Sequence, residues 1–344
     1  MISKVGSRSR YVVRRLGLAV LVLLGSVTIT FLIARLVPSD PAARWAGSHA
    51  TVEQIALART RLGLDKPLYV QFFSYLNQLL HGDLGVSFAT KRPIISDLAV
   101  FLPATLELVF AAMAIAVLIG IPIGVLSAAR PDSFFDRFST KFMSVVLVAM
   151  PTYWLGLLLQ LLFFKQLGWL PLSGRVSDTI ALYHPVHSIT GFFLFDTAVT
   201  GNWPAFQDVA YHMVLPTLVL AAYPVGLVIR MTRSAMGETL AERHVLAARA
   251  FGIPERRILF RFALRNAILP TVTVLGLSFA YLITGAFLVE VIFSWPGVGT
   301  YAAAAVMNLD FPVIVATTLL VAATYVLVNL AVDLFQAWLD PRRG

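Results

Sequence analysis

Residues 16–34 read LGLAVLVLLGSVTITFLIA, a run of 19 residues without a charged side chain. A helix needs roughly 20 apolar residues to cross a bilayer core of about 30 Å, so this run is long enough to span a membrane. It is longer than the apolar core of about 7–15 residues in a secretory signal peptide, and no small-residue cleavage site follows it. The stretch therefore predicts a retained first transmembrane helix, preceded by the basic pair Arg14 and Arg15.

The composition of the whole chain agrees with this prediction. Of its 344 residues, 58% are hydrophobic and 13% are charged, and the mean hydropathy is +0.80. Soluble domains carry about 25% charged residues, so this chain has too little charge to cover a water-facing surface. The composition argues against an ordinary cytosolic enzyme and against disorder. Because the sequence contains no cysteine, disulfides, thiolate metal sites and cysteine nucleophiles are excluded.

Five further apolar runs resemble the first in length. The predicted spans are residues 16–37, 98–129, 142–164, 211–229, 267–289 and 311–333. The polar segments are a tail of residues 1–15, the segments 38–97, 165–210 and 290–310 on one side, and the segments 130–141 and 230–266 on the other. We therefore predict an all-α integral membrane protein with six transmembrane helices in a single domain of residues 1–344.

The net charge of +9 predicts the orientation of these spans. With an even number of spans, both termini lie on the same side of the membrane. The segments on that side carry a net charge of +12, whereas the opposite side has nine basic and nine acidic residues. Since basic residues accumulate on the cytoplasmic side, both termini are predicted to be cytoplasmic. A nucleic-acid-binding protein would instead concentrate its basic residues on a soluble face, so no nucleic-acid partner is expected.

Two helices are predicted within residues 38–97. Thr51 and Gln54 have the spacing of a capping box, and the helix that they begin should stop at Gly63. A second helix should begin after Pro67 and end before Gly82; its aromatic side chains suit the membrane interface or the helix bundle. The segment 165–210, rich in glycine, proline, serine and aromatic residues, is predicted to form an irregular cap.

Proline recurs inside the predicted spans, at Pro122, Pro151, Pro216, Pro224 and Pro270. Each ring removes a backbone donor and can kink a helix. These prolines fit hinges around a pathway through the bundle, but they also fit ordinary membrane helices, in which proline is common.

Residues 230–266 form the most basic of the polar segments. A helix over 242–250 should end at Gly252, which is in the usual position after a helix C-terminus. Pro254 and Glu255 then indicate the start of a second helix that continues into the fifth span. The small residues expected to let another surface approach the first helix are Ala247, Ala248 and Ala250. By charge alone, the segment also fits an ordinary basic juxtamembrane loop.

The order of residues in this segment resembles the EAA loop of ATP-binding-cassette (ABC) importer permeases. Residues 248–252 read ARAFG and residues 264–270 read LRNAILP, as is usual in the peptide-importer branch of that family. Two positions depart from the general family pattern. The opening Glu is Leu246 here, and the Leu-Pro after the glycine is replaced by Leu264-Arg265.

The resemblance to the peptide-importer branch extends over the whole chain. Its further motifs are LGLDKP at 62–67, GDLGVS at 82–87, RMTRS at 230–234, FSWPG at 293–297 and DPR at 340–342. SGRVSD at 173–178 and TGF at 190–192 look like the dipeptide-permease subgroup in particular. Permeases for nickel, glutathione and longer peptides share most of this frame, so these substrates stay open as alternatives.

This resemblance implies a type I ABC importer permease in the bacterial inner membrane. The implied partners are a homologous second permease, two cytoplasmic ATPase subunits that use ATP and Mg²⁺, an extracytoplasmic peptide-binding protein and the surrounding lipid. In the family, the EAA loop is the coupling helix that docks in a groove of the ATPase. Carried onto this sequence, that role falls on Ala247, Ala248, Arg249, Ala250, Gly252, Pro254, Glu255 and Arg256. The implied contact with the binding protein falls on Trp295, Pro296 and Gly297, together with the two long outer segments.

Two acidic residues lie within predicted spans, Glu107 and Asp333. A charged residue at mid-bilayer costs about 2.5–3.5 kcal/mol on the insertion scale, so each is a functional candidate. They could form an ion or proton relay in a stand-alone carrier, or they could be structural groups paired within the protein. The sequence has no phosphate-binding loop of the GxxxxGK[ST] type, no catalytic Ser-His or Asp pair in its spans, and no cluster at metal-ligand spacing. We therefore expect a transport subunit that is not an enzyme and itself binds no metal or cofactor.

Overall fold

The computed structural model describes residues 3–36, 40–47 and 49–339, and almost all of these residues are helical. The end of the predicted first span at residue 37 and the DPR motif at 340–342 lie outside the described residues. The helices are α1 (Ser3–Leu36), α2 (Pro41–Ala46), α3 (Val52–Arg61), α4 (Leu68–Leu80), α5 (Ile94–Ala129), α6 (Phe134–Ala149), α7 (Thr152–Gln166), α8 (Asp178–Tyr183), α9 (Phe193–Val199), α10 (Trp203–Leu240), α11 (Arg243–Ala250), α12 (Glu255–Ile292), α13 (Val298–Met307) and α14 (Phe311–Leu339). Between them, the described residues form one isolated antiparallel bridge, Val86 with Pro93.

Within the described residues, five helices have stretches long and apolar enough to cross a membrane. These stretches are Val13–Ile33, Ile94–Ala129, Trp203–Leu240, Glu255–Ile292 and Phe311–Phe335. The pair α6 and α7 has the composition of a sixth span but is bent by 96°. The all-α membrane fold predicted from the sequence is confirmed, and its six spans correspond to these five helices and the bent pair.

The span predicted over 142–164 is interrupted beside Pro151, one of the prolines at which a kink was considered. The helix breaks at Met150, whose backbone is extended at φ −68° and ψ 126°. Proline disfavours the helical conformation of the residue before it, so Pro151 accounts for the position of the break. Pro216, Pro224 and Pro270 lie inside unbroken helices. Pro122 follows a wide π-helical turn at Ala116–Gly120, where the helical hydrogen-bond ladder is already irregular.

Local signals outside the spans were predicted correctly. Thr51 Oγ1 accepts a hydrogen bond from the Gln54 backbone, and Gln54 Oε1 accepts one from the Thr51 backbone, at 3.3 and 2.9 Å. Gly63, just after α3, has a φ of +63°. The segment 165–210 is less irregular than expected, because it contains α8, α9 and the first turns of α10.

The chain divides into two compact units. The first comprises Met1–Pro103 and Pro296–Leu327, and the second comprises Ala104–Trp295 and Val328–Gly344. In the first unit, a buried cluster joins the start of α5 to α13 and α14; its members are Ile94, Leu98, Val298, Tyr301, Ala305, Val313 and Ala316. Buried hydrogen bonds accompany it: Asp97 accepts from Tyr301 at 3.0 Å, and Asp310 accepts from Ser87 at 2.6 Å.

Helix α10 is the centre of the second unit. It is 38 residues long, twice the predicted span of 211–229, because polar residues at both ends continue the helix. Of the apolar 18-residue stretch with which it would cross the membrane, 78% is buried inside the protein. Glycines permit this close packing. A Cβ atom on Gly226 would lie 2.7 Å from the Ser144 carbonyl oxygen, and a Cβ on Gly124 of α5 would lie 2.9 Å from the Ile229 carbonyl oxygen.

We predict that Gly226→Ala lowers the free energy of unfolding by about 1–3 kcal/mol, because the new methyl group has to displace the backbone of α6. Thermal unfolding of the purified protein in detergent measures this change. Gly237→Ala is the matched control on the same helix, since a Cβ there meets nothing within 4 Å. The control is expected to be neutral or to stabilise by about 0.5–1 kcal/mol. Equal effects of the two substitutions would contradict close packing at Gly226.

Candidate functional site

The predicted helix–turn–helix within residues 230–266 is present. Helix α11 ends in a tight turn in which the Gly252 N–H donates to the Arg249 carbonyl at 2.9 Å and the Ile253 N–H donates to the Ala248 carbonyl at 3.2 Å. Gly252 has a φ of +71°, in the left-handed region that side chains with a Cβ rarely adopt. The chain then enters α12 after Pro254. The order of residues that resembled the EAA loop therefore forms a compact local structure.

One face of α11 packs on the protein itself. Val245 and Ala248, three residues apart, are buried with Ile258 of α12, Met236 of α10 and Val125 of α5. Ala248 is only 6% exposed. The small side chain of Ala248 therefore fits α11 onto its own helices, and the approach of a partner at this residue stays a prediction.

The other face of α11 and the turn are exposed. Ala247, Ala250, Arg249 and Gly252 are accessible. Phe251 is 85% exposed, and it was missed because the family pattern treats its position as variable. An aromatic side chain held in water on a well-ordered turn is a candidate contact for a partner protein.

An ion pair crosses the turn. Arg249 Nη2 donates to Glu255 Oε1 at 2.6 Å, and Arg249 Nε donates to Oε2 at 3.2 Å. The hydrogen bond to Glu255 raises the pKa of Arg249 above its ordinary value, and partial burial opposes this. Exposed pairs contribute little to stability, but a bidentate geometry fixes the orientation of both side chains. Pro254, Arg256, Arg257 and Phe260 line a shallow basic depression beside this pair.

Glu107 of α5 is paired inside the second unit. Its Oε2 accepts hydrogen bonds from Arg175 Nε at 3.1 Å and Nη2 at 2.5 Å, and its Oε1 accepts one from the Leu194 N–H at 2.7 Å. Arg175 Nη2 also donates to the Gly191 carbonyl at 2.6 Å, and its guanidinium carbon lies 3.6 Å from the centre of the Phe193 ring. Both charged side chains are 5% exposed. This geometry favours the structural alternative for Glu107; Arg175 was not predicted as its partner, although it lies in the SGRVSD motif.

Asp196 organises the turn that Arg175 contacts. Its carboxylate accepts hydrogen bonds from the backbone N–H groups of Ile189, Thr190 and Gly191 at 2.9–3.2 Å and from the Thr190 hydroxyl at 2.6 Å. Burial acts to raise the pKa of Asp196, but the hydrogen bonds from Thr190, Ile189 and Gly191 outweigh it and hold the pKa below its usual range. The TGF motif at 190–192 is therefore shaped by this carboxylate.

A second ion pair, between a buried carboxylate and a partly exposed arginine, joins α6 to α10. Arg233 Nη2 and Nε donate to the two oxygens of the Asp136 carboxylate at 2.8 and 3.2 Å. Asp136 is fully buried, and its Oδ2 also accepts from the Asp132 N–H at 3.0 Å. The RMTRS motif thus supplies the partner of a buried acid, a role that was not predicted.

The remaining candidates take different positions. Asp333 is half-buried in α14, and the relay that would use it stays a prediction. Trp295 is fully buried in the second unit, where its indole N–H donates to the Ala104 carbonyl at 2.9 Å, and Gly297 is buried in the first unit. Both residues are covered by this chain, whereas Pro296 is exposed. The contact of this motif with a binding protein stays a prediction.

One further acid was missed by the sequence reasoning. Glu290 is fully buried and accepts a hydrogen bond from the Thr105 hydroxyl at 2.6 Å. Within the described part of the chain, no group of three His, Cys, Asp or Glu side chains is placed to hold a metal ion.

Comparison with known proteins defines the class. Residues 120–344 match the family described as the binding-protein-dependent transport system inner membrane component, and residues 8–109 match the N-terminal region of the same kind of component. The chain belongs to this family and is a multi-pass permease subunit of an ABC importer in the bacterial inner membrane.

Its relatives include named permeases. It is 45% identical over 325 residues to the probable D,D-dipeptide transport system permease protein DdpB of Escherichia coli K12. The aligned residues cover 94% of each chain. It is 40% identical over 334 residues to the dipeptide transport system permease protein DppB of the same strain, covering 97% of this chain and 98% of the relative. It is 36% identical over 332 residues to the glutathione transport system permease protein GsiC of Salmonella paratyphi A, covering 96% and 97%.

We predict that Arg175→Met destabilises the protein by about 3–5 kcal/mol, because it leaves the Glu107 carboxylate buried without its cation. The measurement is thermal unfolding in detergent. Glu107→Gln combined with Arg175→Met should recover part of the loss, since the isolated charge is then removed. Lys165→Met, which removes an exposed cation, is the control and should behave as the unsubstituted protein. If Arg175→Met is equally stable, the pair has no structural role.

The lowered pKa of Asp196 predicts a pH dependence of stability. Because the folded-state pKa lies below the unfolded value of about 3.9, the contribution of Asp196 is present above that pH and is lost as the pH falls through the folded pKa. Unfolding temperatures of the unsubstituted protein and of Asp196→Asn should therefore differ most near neutral pH and converge below about pH 4. Asp178→Asn, an exposed control in the same segment, should have little effect. A constant difference between Asp196→Asn and the unsubstituted protein at every pH would contradict this assignment.

Proposed function

We propose that this permease imports dipeptides or short peptides, together with a homologous second permease, two cytoplasmic ATPases and an extracytoplasmic peptide-binding protein. ATP and Mg²⁺ are used by the ATPases, and this chain provides transport but no catalysis. The names of relatives at 40–45% identity over nearly the whole chain support the substrate class. The coupling role of the turn after α11 is supported by its exposure in this chain, together with the membership of the chain in this permease family.

The two faces of α11 suggest how coupling occurs. The exposed face, with Phe251 and Ala247, contacts the ATPase, while Val245 and Ala248 are buried against the other helices of the second unit. Because that packing is continuous, a displacement of α11 acts directly on the ends of α5, α10 and α12. ATP-driven closure of the ATPases then shifts these spans and opens or closes the pathway.

The pathway itself is proposed to lie between the two permeases. A peptide carries charged termini that must be shielded from lipid, so the cavity has to be polar while it is open. Substrate selection is expected to reside largely in the separate binding protein. The relative named for glutathione, at 36% identity, makes that compound the main alternative substrate.

Reconstitution into liposomes tests this proposal. The permease is incorporated alone or with its second permease and ATPases, and labelled dialanine is supplied with the binding protein. Uptake is expected only with the complete set and ATP. Uptake by the lone chain driven by an ion gradient and indifferent to ATP would support the stand-alone carrier instead. Preference for glutathione or Ni²⁺ over dialanine would overturn the substrate class alone.

The same assay tests the coupling turn through Gly252→Pro. Proline fixes φ near −65° and removes the N–H that bonds Arg249, and incompatible prolines cost about 3 kcal/mol or more. We expect transport-coupled ATP hydrolysis to fall by at least about tenfold, with membrane insertion intact. Gly252→Asn is the matched control, because asparagine tolerates positive φ, and should retain most of the coupling. Coupling by Gly252→Pro at the unsubstituted level would show that the ATPase contact lies elsewhere.

A further inference from the structure

A cavity of about 400 Å³ in the first unit lies where one span ends and another begins. The membrane-spanning stretch of α1 ends at Ile33, and that of α14 begins at Phe311. Arg35 and Phe311 both line the cavity. Because these two helix ends meet there, the cavity lies at the level of one membrane face, whichever way the chain is oriented. Its size is within the range of about 300–1,000 Å³ that is common for ligand pockets.

Aromatic rings form much of its wall. Phe31 stacks on Tyr75 of α4 with ring centres 6.0 Å apart, and Trp45 meets Phe88 edge-on at 5.8 Å. All four residues line the cavity, with Phe311 and several aliphatic side chains. Such a wall favours an amphiphilic ligand with an apolar part, and tryptophan and tyrosine are the residues enriched at membrane interfaces.

The charged groups of the cavity are both positive. Arg35 and Arg61 line it, and none of its described lining residues is acidic. The Arg35 guanidinium carbon lies 5.5 Å from the centre of the Phe31 ring. Neither arginine has a carboxylate partner in the described part of the chain, whereas Arg59, on the same helix as Arg61, is paired with Asp40 at 2.7 Å.

We propose that this cavity binds the headgroup of an anionic phospholipid, with its phosphate between Arg35 and Arg61 and its glycerol and first methylene groups against Phe31, Phe88 and Val315. A phosphate diester supplies the missing negative charge, and arginine binds it with paired donors. A transported peptide also carries a carboxylate. Its ammonium group, however, would find no acidic residue among those lining the cavity, so the lipid is the better match.

Lipid retention by the purified full-length chain tests the proposal, independently of ATP or transport. Native mass spectrometry after titration with palmitoyl-oleoyl phosphatidylglycerol or phosphatidylcholine in detergent should show one preferred phosphatidylglycerol. In Arg35→Gln/Arg61→Gln, its apparent affinity should fall about tenfold or more. The matched control Arg44→Gln/Lys66→Gln removes two charges from the same segment outside this cavity and should retain the lipid. Arg35→Lys/Arg61→Lys keeps both charges and should retain part of the binding.

Other outcomes would overturn the proposal. Equal retention by the glutamine and control variants would exclude a role of the two arginines. Binding of inorganic phosphate or dialanine with no preference for phosphatidylglycerol would identify a site for soluble anions or peptide instead. If the double variant fails to fold, the single variant Arg61→Gln decides, because Arg61 is exposed. Undiminished lipid retention by this single variant would refute the site.

Discussion

A carboxylate inside an apolar bundle must find its hydrogen-bond donors within the protein, because surrounding lipid offers none. Glu107 imposes this constraint on the second unit. Its three hydrogen bonds come from Arg175 and Leu194, which belong to the segment between α7 and α10. That segment has to fold back onto α5 for the charge to be compensated. Asp196 then shapes the turn whose carbonyl, at Gly191, accepts the remaining contact of Arg175. One buried acid thus determines how a polar segment of the chain is arranged.

The same constraint acts at the other end of the second unit. Asp136 is fully buried and paired with Arg233 of α10, so the first turn of α6 is held to the central helix. The apolar contacts of α10 carry no such directional requirement, and there close packing depends on small residues such as Gly226 and Gly124. Ion pairs position the connecting segments, while glycines allow the spans between them to approach closely.

Features carried by local chemistry could be predicted from the sequence, and features set by packing could not. The capping box at Thr51 and the left-handed Gly252 depend on a few neighbouring residues, and both were predicted correctly. The break at Met150 also has a local cause, since Pro151 follows it, but the sequence does not distinguish this proline from Pro216, Pro224 and Pro270, which leave their helices unbroken. Burial of Ala248 and Trp295 depends on residues far along the chain, and the Arg175–Glu107 pair spans 68 positions. Hydropathy identifies which segments enter the membrane, but it does not show which side chains of those segments face one another.

The contrast between directional and non-directional contacts bears on the proposed transport cycle. A bidentate pair such as Arg233–Asp136 weakens when its partners slide past each other, since its hydrogen bonds require alignment. The packing of α11 consists instead of contacts of Val245 and Ala248 with apolar neighbours, and apolar contacts tolerate small shear displacements. At the turn, Arg249 and Glu255 keep α11 and the start of α12 together. A force applied at Phe251 would then move α11 and the start of α12 as one body across these apolar contacts. The pairs at Asp136 and Glu107 would keep their loops in place, so the motion passes into the spans rather than into the connecting segments.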